Sequence, residues 1–161
     1  MHYRRIWQPG GRYFFTVVTR KRHPWFADPA CVQLLRTAIR HVKHVHPFDI
    51  DAMVVLPDHL HCVWTLPEGD ADYARRWRLI KTRVTQRLGG TSIWQARYWE
   101  HLIRGDEDWQ RHVDYIHYNP VKHGLVATPA QWRYSSLRRF VERGWCPPDW
   151  SGEVEVGQAG E

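Results

Sequence analysis

Apolar and polar residues follow two distinct periods along this chain, and the switches between them outline its elements. Residues 12–20, RYFFTVVTR, are rich in β-branched and aromatic side chains and lie between Gly10-Gly11 and Pro24, which predicts a first strand. Leu35, Ile39 and Val42 then recur at helical spacing, with Asp28-Pro29 opening a first helix and Pro47 closing the segment. Residues 48–56 and 59–66 read as two short strands hinged at Pro57-Asp58, a hairpin. Trp77, Ile80, Val84 and Leu88 share one face of a second helix that follows Gly69 and stops at Gly89-Gly90. Residues 93–103, IWQARYWEHLI, alternate as a long strand. A third helix is expected from Asp106 to about Tyr118, its start favoured by the acidic Asp106-Glu107-Asp108 and its stop set by Pro120.

Strand, helix, strand, strand, helix, strand, helix is the order of an α+β fold: an antiparallel-rich sheet covered by helices, ferredoxin-like in layout. Residues 1–150 are expected to form one domain. The tail 151–161, SGEVEVGQAGE, is acidic and poor in core formers and is expected to be disordered.

Composition narrows the class. A chain of 161 residues that is 43% hydrophobic can fill one core. Its ten tryptophans serve that core or offer faces on which unpaired bases stack. The net charge of +6 favours a polyanionic partner. Arg76, Arg83 and Arg87 line one flank of the second helix and are the candidate DNA contacts, against the plainer reading of a solvated basic face. Cys31, Cys62 and Cys146 support neither a disulfide framework nor a cysteine-rich zinc module. With no run of about 18 apolar residues, the protein is expected to be soluble and to work in the cytosol, without a membrane.

Two stretches carry candidate chemistry. In DHLHCVW, residues 58–64, His59 and His61 are two apart on a strand and so share a face, while Leu60 and Cys62 point into the core. The pair is either a two-toothed metal clamp or two incidental histidines on a half-exposed strand. In DYIHYNPVKHGLV, residues 114–126, Tyr115 and Asn119 are four apart and share a helical face, whereas Tyr118 is turned about 100° from Asn119. Tyr115 either carries a nucleophilic phenol or packs the core, and Asn119 either offers an amide ligand or caps the helix.

PDHLHCVW, IWQARYWEHLIRGDED and YIHYNPVKHGLV together resemble the REP-associated tyrosine transposases, relatives of the single-tyrosine HUH transposases. The resemblance spans about Tyr13 to Trp150. It implies an HUH-type domain in which His59, His61 and Asn119 hold a divalent metal, Mg²⁺ or Mn²⁺, and Tyr115 attacks single-stranded DNA to give a 5′-phosphotyrosine that strand transfer resolves. It also implies a REP-like DNA hairpin as partner, a monomer or homodimer as the acting species, and a site at the bacterial nucleoid. Glu100 and His101 lie in a family-like segment as a possible second shell around the metal, or as a plain strand pair. Two alternatives from other classes are a relaxase or replication-initiator nickase, and a non-catalytic ferredoxin-like module that binds nucleic acid.

Overall fold

The computed structural model describes residues 9–161; the first eight residues of the expected 1–150 domain lie outside the described ones. The chain order is β1 (Arg12–Val18), α1 (Pro29–Val45), β2 (Asp49–Val55), β3 (His59–Thr65), α2 (Tyr73–Arg87), β4 (Trp99–Leu102), α3 (Gly105–Lys122) and a short α4 (Leu137–Glu142). The four strands form one sheet in the order β2-β3-β1-β4. Each neighbouring pair is antiparallel. This is the ferredoxin-like βαββαβ arrangement with α3 and α4 added.

Strand alternation sorts side chains to two cores. Tyr13, Phe15 and Val17 of β1 and Leu60, Cys62 and Trp64 of β3 pack under α1 and α2 with Leu35, Val42, Trp77 and Ile80. Phe14, Val54 and Val63 face the other way, toward Tyr115 and Ile116 of α3 and Phe140 of α4. Because both faces of the sheet are covered, β3 is buried along almost its whole length, and His59 and His61 are 2% and 0% exposed. The half-exposed strand that went with the reading of two incidental histidines is therefore a fully covered one.

Two elements depart from the periodic pattern. Residues 93–103 were expected to form one long strand, but only Trp99–Leu102 join the sheet. Ile93 and Trp94 instead cross the end of β1, where Gln95 N–H donates to Val18 O at 2.9 Å and the Trp94 indole donates to Lys81 O on α2 at 3.1 Å. That anchor draws the segment off the ladder. The third helix also runs past its expected stop, from Gly105 through Pro120 to Lys122. Proline removes one donor from the ladder, and the helix closes beyond it through His123 N–H to Asn119 O at 3.1 Å. Asn119 is thus inside the helix and not at its end.

Residues 151–161, expected to be disordered, carry no helix or strand and run back to the α3 face of the sheet. The Thr16 hydroxyl donates to Ala159 O there, and Ala159 is 8% exposed. Among the described residues no helix is long and apolar enough to cross a membrane.

Candidate active site

β3 and α3 bring the two motifs together. The ring centroids of His59 and His61 are 4.9 Å apart, and that of Tyr115 is 5.4 Å from His61. Asn119, one turn beyond Tyr115, is fully buried beside them. All of these except His59 meet one carboxylate, that of Glu161. Its Oε1 lies 2.7 Å from His61 Nε2, accepts from Asn119 Nδ2 at 2.7 Å and accepts the Tyr115 hydroxyl. Its Oε2 is 2.9 Å from His123 Nε2 and 3.2 Å from Lys122 Nζ. Lys122 also donates to the Tyr115 oxygen at 2.9 Å.

The tautomers follow from the partners. Thr16 spends its single proton on Ala159 O, so its Oγ1, 2.7 Å from His61 Nδ1, accepts, and Nδ1 carries the imidazole proton. Asp58 Oδ1 is 2.7 Å from His59 Nδ1 and assigns the proton in the same way. Both rings therefore turn a bare Nε2 toward the site. Burial pushes the His61 imidazolium down to about 4 against the opposing pull of Glu161, so the ring is neutral at physiological pH. Burial also lowers His59, with Asp58 opposing.

Electrostatics around the phenol run against ionisation. Burial, then the hydrogen bond and charge of Glu161, push the Tyr115 hydroxyl far above the ordinary phenol range. Burial would raise the Glu161 carboxyl, but its hydrogen bonds from His123 and Tyr115 hold it far below the carboxylate range. The carboxylate thus locks the phenol in its protonated form.

The donor set fits a divalent cation. Ligand atoms of His59, His61 and Glu161 all lie within 4.8 Å of one another. His59 Nε2 and Asn119 Oδ1 are buried without any hydrogen-bond partner, a costly state for polar atoms unless a further ligand satisfies them. At His61 a bare nitrogen faces a carboxylate oxygen at 2.7 Å, an arrangement that a cation relieves.

The other expected site residues fall elsewhere. Tyr118 is only half-buried. Glu100 is on the opposite sheet face, where it accepts from the Tyr73 hydroxyl at 3.2 Å and burial raises its carboxyl to about 7; it belongs to neither the metal group nor a pair with His101. His101 is on the α3 face, bonded to Asp108 at 2.9 Å and stacked on His112, with the Phe14 ring between His112 and His61. Arg76 was expected among the exposed cations but is 3% exposed. Its guanidinium pairs with Asp70 at 2.8 Å and donates to His46 O and Pro47 O, tying α2 to the end of α1. Arg83 is half-buried and Arg87 exposed.

Glu161, Lys122, His123 and the Asp58–Arg22 pair were not singled out from sequence. Arg22 reaches Asp58 at 3.3 Å from a turn in which Lys21 and Arg22 hold φ of 55° and 53°, strained for non-glycine residues. The one available signal was Lys122-His123, two helical turns after Tyr115 in a motif already marked.

No family model matches the chain. It is 50% identical over 159 residues, 99% of this chain and 96% of the other, to the REP-associated tyrosine transposase of Escherichia coli (strain K12). It is 38% identical over 174 residues, covering 99% of this chain and 98% of the other, to a Haemophilus influenzae protein provisionally given the same name. A solved structure of the REP-associated tyrosine transposase bound to a REP hairpin superposes with a TM-score of 0.95 at 50% identity, covering 100% of this chain and 97% of that one. These likenesses set the relaxase, replication-initiator and non-catalytic readings aside. The chain belongs to the REP-associated tyrosine transposases, a family of enzymes.

Proposed function

We propose that the protein cleaves and rejoins single-stranded DNA next to a REP-like hairpin, with Tyr115 as nucleophile and His59, His61 and Asn119 holding Mg²⁺ or Mn²⁺. One observation carries this reading: two neutral imidazoles, each fixed in its Nδ1–H tautomer, present bare Nε2 atoms beside a tyrosine on the facing helix.

Bound there, the ion would orient the scissile phosphate and offset the charge that develops on it. The protein's own groups do the rest. Tyr115 Oη attacks phosphorus, the Oη–P bond forms as the P–O3′ bond breaks, and the products are a 5′-phosphotyrosine and a free 3′-hydroxyl. Lys122, 2.9 Å from that oxygen, favours the phenolate as the proton leaves. A second 3′-hydroxyl reverses the step and rejoins DNA. One diester replaces another, so no nucleotide cofactor is required. The setting for such chemistry is the bacterial cytosol, at the nucleoid, with residues 1–150 as the working domain.

A DNA hairpin with a 5′ single-stranded extension, incubated with protein and Mn²⁺, should yield an adduct that survives denaturing electrophoresis and is lost with chelator. Metal-independent binding without any adduct would overturn the catalytic assignment and leave a binding module.

A further inference from the structure

A pocket outside the Tyr115 site has the chemistry of a cation seat. α3, α4 and residues 145–150 enclose about 260 Å³. Its walls are largely aromatic: Trp109 on α3, Phe140 on α4, and Trp145 and Trp150 from the segment that follows. The rings meet edge to face and do not stack on one another. Phe140 and Trp145 have centroids 5.1 Å apart at 84°, and His117 lies 4.6 Å from Phe140 at 76° and 6.3 Å from Trp150 at 84°. Trp109 is held in place by its indole N–H, which donates to Asp51 Oδ2 at 2.8 Å. Trp145 is 59% exposed, and one cation already lies against it: the Arg143 guanidinium, 5.0 Å from the ring centroid. An indole face attracts a cation through its quadrupole.

One carboxylate shares the pocket. Asp114 is half-buried on α3, where Gln110 Nε2 donates to its Oδ1 at 2.9 Å. Among the described residues no cation pairs with it, in a chain whose net charge is +6. Burial raises its carboxyl, with only the Gln110 bond opposing. A desolvated carboxylate without a counter-charge is costly. His117 does not supply one: burial, with the Arg139 charge, holds its imidazolium at about 3, and its Nε2 is 2.8 Å from Ser136 Oγ. The donor set does not suit a metal either, because among the described residues the groups whose His, Cys, Asp or Glu ligand atoms converge within 4.8 Å lie elsewhere. An anion would meet the carboxylate's charge, and a neutral apolar ligand would leave it uncompensated. A positive head on an apolar stem satisfies rings and carboxylate together, and the space, below the roughly 300–1,000 Å³ of drug-sized sites, suits a small one.

We propose that this pocket, formed by α3, α4 and residues 145–150, binds a small free molecule with an alkylammonium or quaternary ammonium head, seated between the Asp114 carboxylate and the Trp145 and Trp150 rings. The seat is separate from the metal cluster. Asp114 is turned about 100° around α3 from Tyr115, and it shares its own face with Gln110, four residues before it. The assignment does not depend on DNA cleavage.

The test uses the full chain and choline as the probe, titrated by calorimetry at constant ionic strength beside 3,3-dimethyl-1-butanol, which has the same shape without the charge. Choline should bind, and the alcohol should bind about tenfold more weakly or worse. Asp114→Asn keeps an oxygen for the Gln110 bond and removes only the charge, so it should weaken choline about tenfold. Trp145→Ala, at an exposed ring, should weaken it about fivefold. Both variants should melt like the parent, and the choline–alcohol comparison on the parent decides the question even where a variant does not. Equal affinities for choline and the alcohol would make this a plain apolar cavity. Tighter binding of guanosine, whose N–H edge also suits a carboxylate, would make it a base pocket, and tighter binding of a short peptide with one lysine would make it a docking point for another protein. Binding of none of the probes would leave the rings and Asp114 a purely structural role. Each of these four results overturns the inference.

Discussion

Asp58 Oδ1 lies 2.7 Å from His59 Nδ1, and this bond leaves Nε2 of the same ring as a buried nitrogen with no partner. The carboxylate is itself braced by Arg22 at 3.3 Å. Burial would raise the Asp58 carboxyl, but the bonds from His59 and Arg22 hold it below its ordinary value, so it stays charged and keeps the proton on Nδ1. A carboxylate behind a metal-ligating imidazole fixes its tautomer and raises its basicity, and loss of such a partner costs about 10- to 100-fold in metal affinity. Asp58→Ala should therefore weaken Mn²⁺ binding by that factor in calorimetry, and saturating Mn²⁺ should restore most of the adduct. Unchanged Mn²⁺ affinity would remove Asp58 from the site.

Tyr115→Phe removes one hydroxyl and keeps the ring that packs on Phe14 and His61. The lost hydrogen bonds should cost about 1 kcal/mol of stability, and the covalent DNA adduct should vanish while hairpin affinity stays within twofold. Tyr118→Phe should cleave like the parent. An adduct from Tyr115→Phe at the parental rate would pass the nucleophile's role to another residue.

The parts of this site that lie close in sequence were legible, and the parts joined by distant packing were not. His59 and His61 share a face because a strand repeats every two residues, and Tyr115 and Asn119 because a helix repeats every 3.6. The βαββαβ order also followed from those periods. Arg76 looked like part of an open basic flank because helical spacing does not reveal that His46 O and Pro47 O wait above it for donors. The alternation of 93–103 is genuine, yet Ile93 and Trp94 bury themselves beside α2 and not in the ladder. Glu161 lies 46 positions from Tyr115 in a segment with no hydrophobic period, so no local pattern could place it against the phenol.

Acid should unfold the metal-free protein through its buried histidines. Burial holds His61 at about 4, and burial with the nearby Arg139 charge holds His117 at about 3, against 6.5 for each ring when exposed. These values are depressed, so below pH 6.5 the unfolded chain binds protons that the folded chain refuses. Stability is full above about pH 6.5 and falls as pH drops toward 4, by about 3 kcal/mol for His61 alone. Chelator-treated protein melted at pH 7.5, 5.5 and 4.5 should show that decline, and His117→Gln should flatten it. A melting temperature constant over this range would contradict neutral, buried rings.

Glu161 should act as a competitor for the site. Both of its oxygens are already engaged: Oε1 by Tyr115 and Asn119, and Oε2 by His123 and Lys122. A carboxylate so fully satisfied fills the place that a cation and a phosphate would take, and its charge keeps the phenol protonated. Removing it frees His61 Nε2 and lets the phenol ionise more easily beside Lys122. One hydrogen bond to a charged group is worth about 1.5–3 kcal/mol, so Glu161→Ala should form the DNA adduct about tenfold faster or more at a fixed Mn²⁺ concentration. Mn²⁺ affinity should hold or rise, and melting should come at lower temperature because the tail's anchor is gone. Slower adduct formation together with weaker Mn²⁺ binding would show instead that Glu161 is a ligand, with its carboxylate waiting on the ion and not standing in its place.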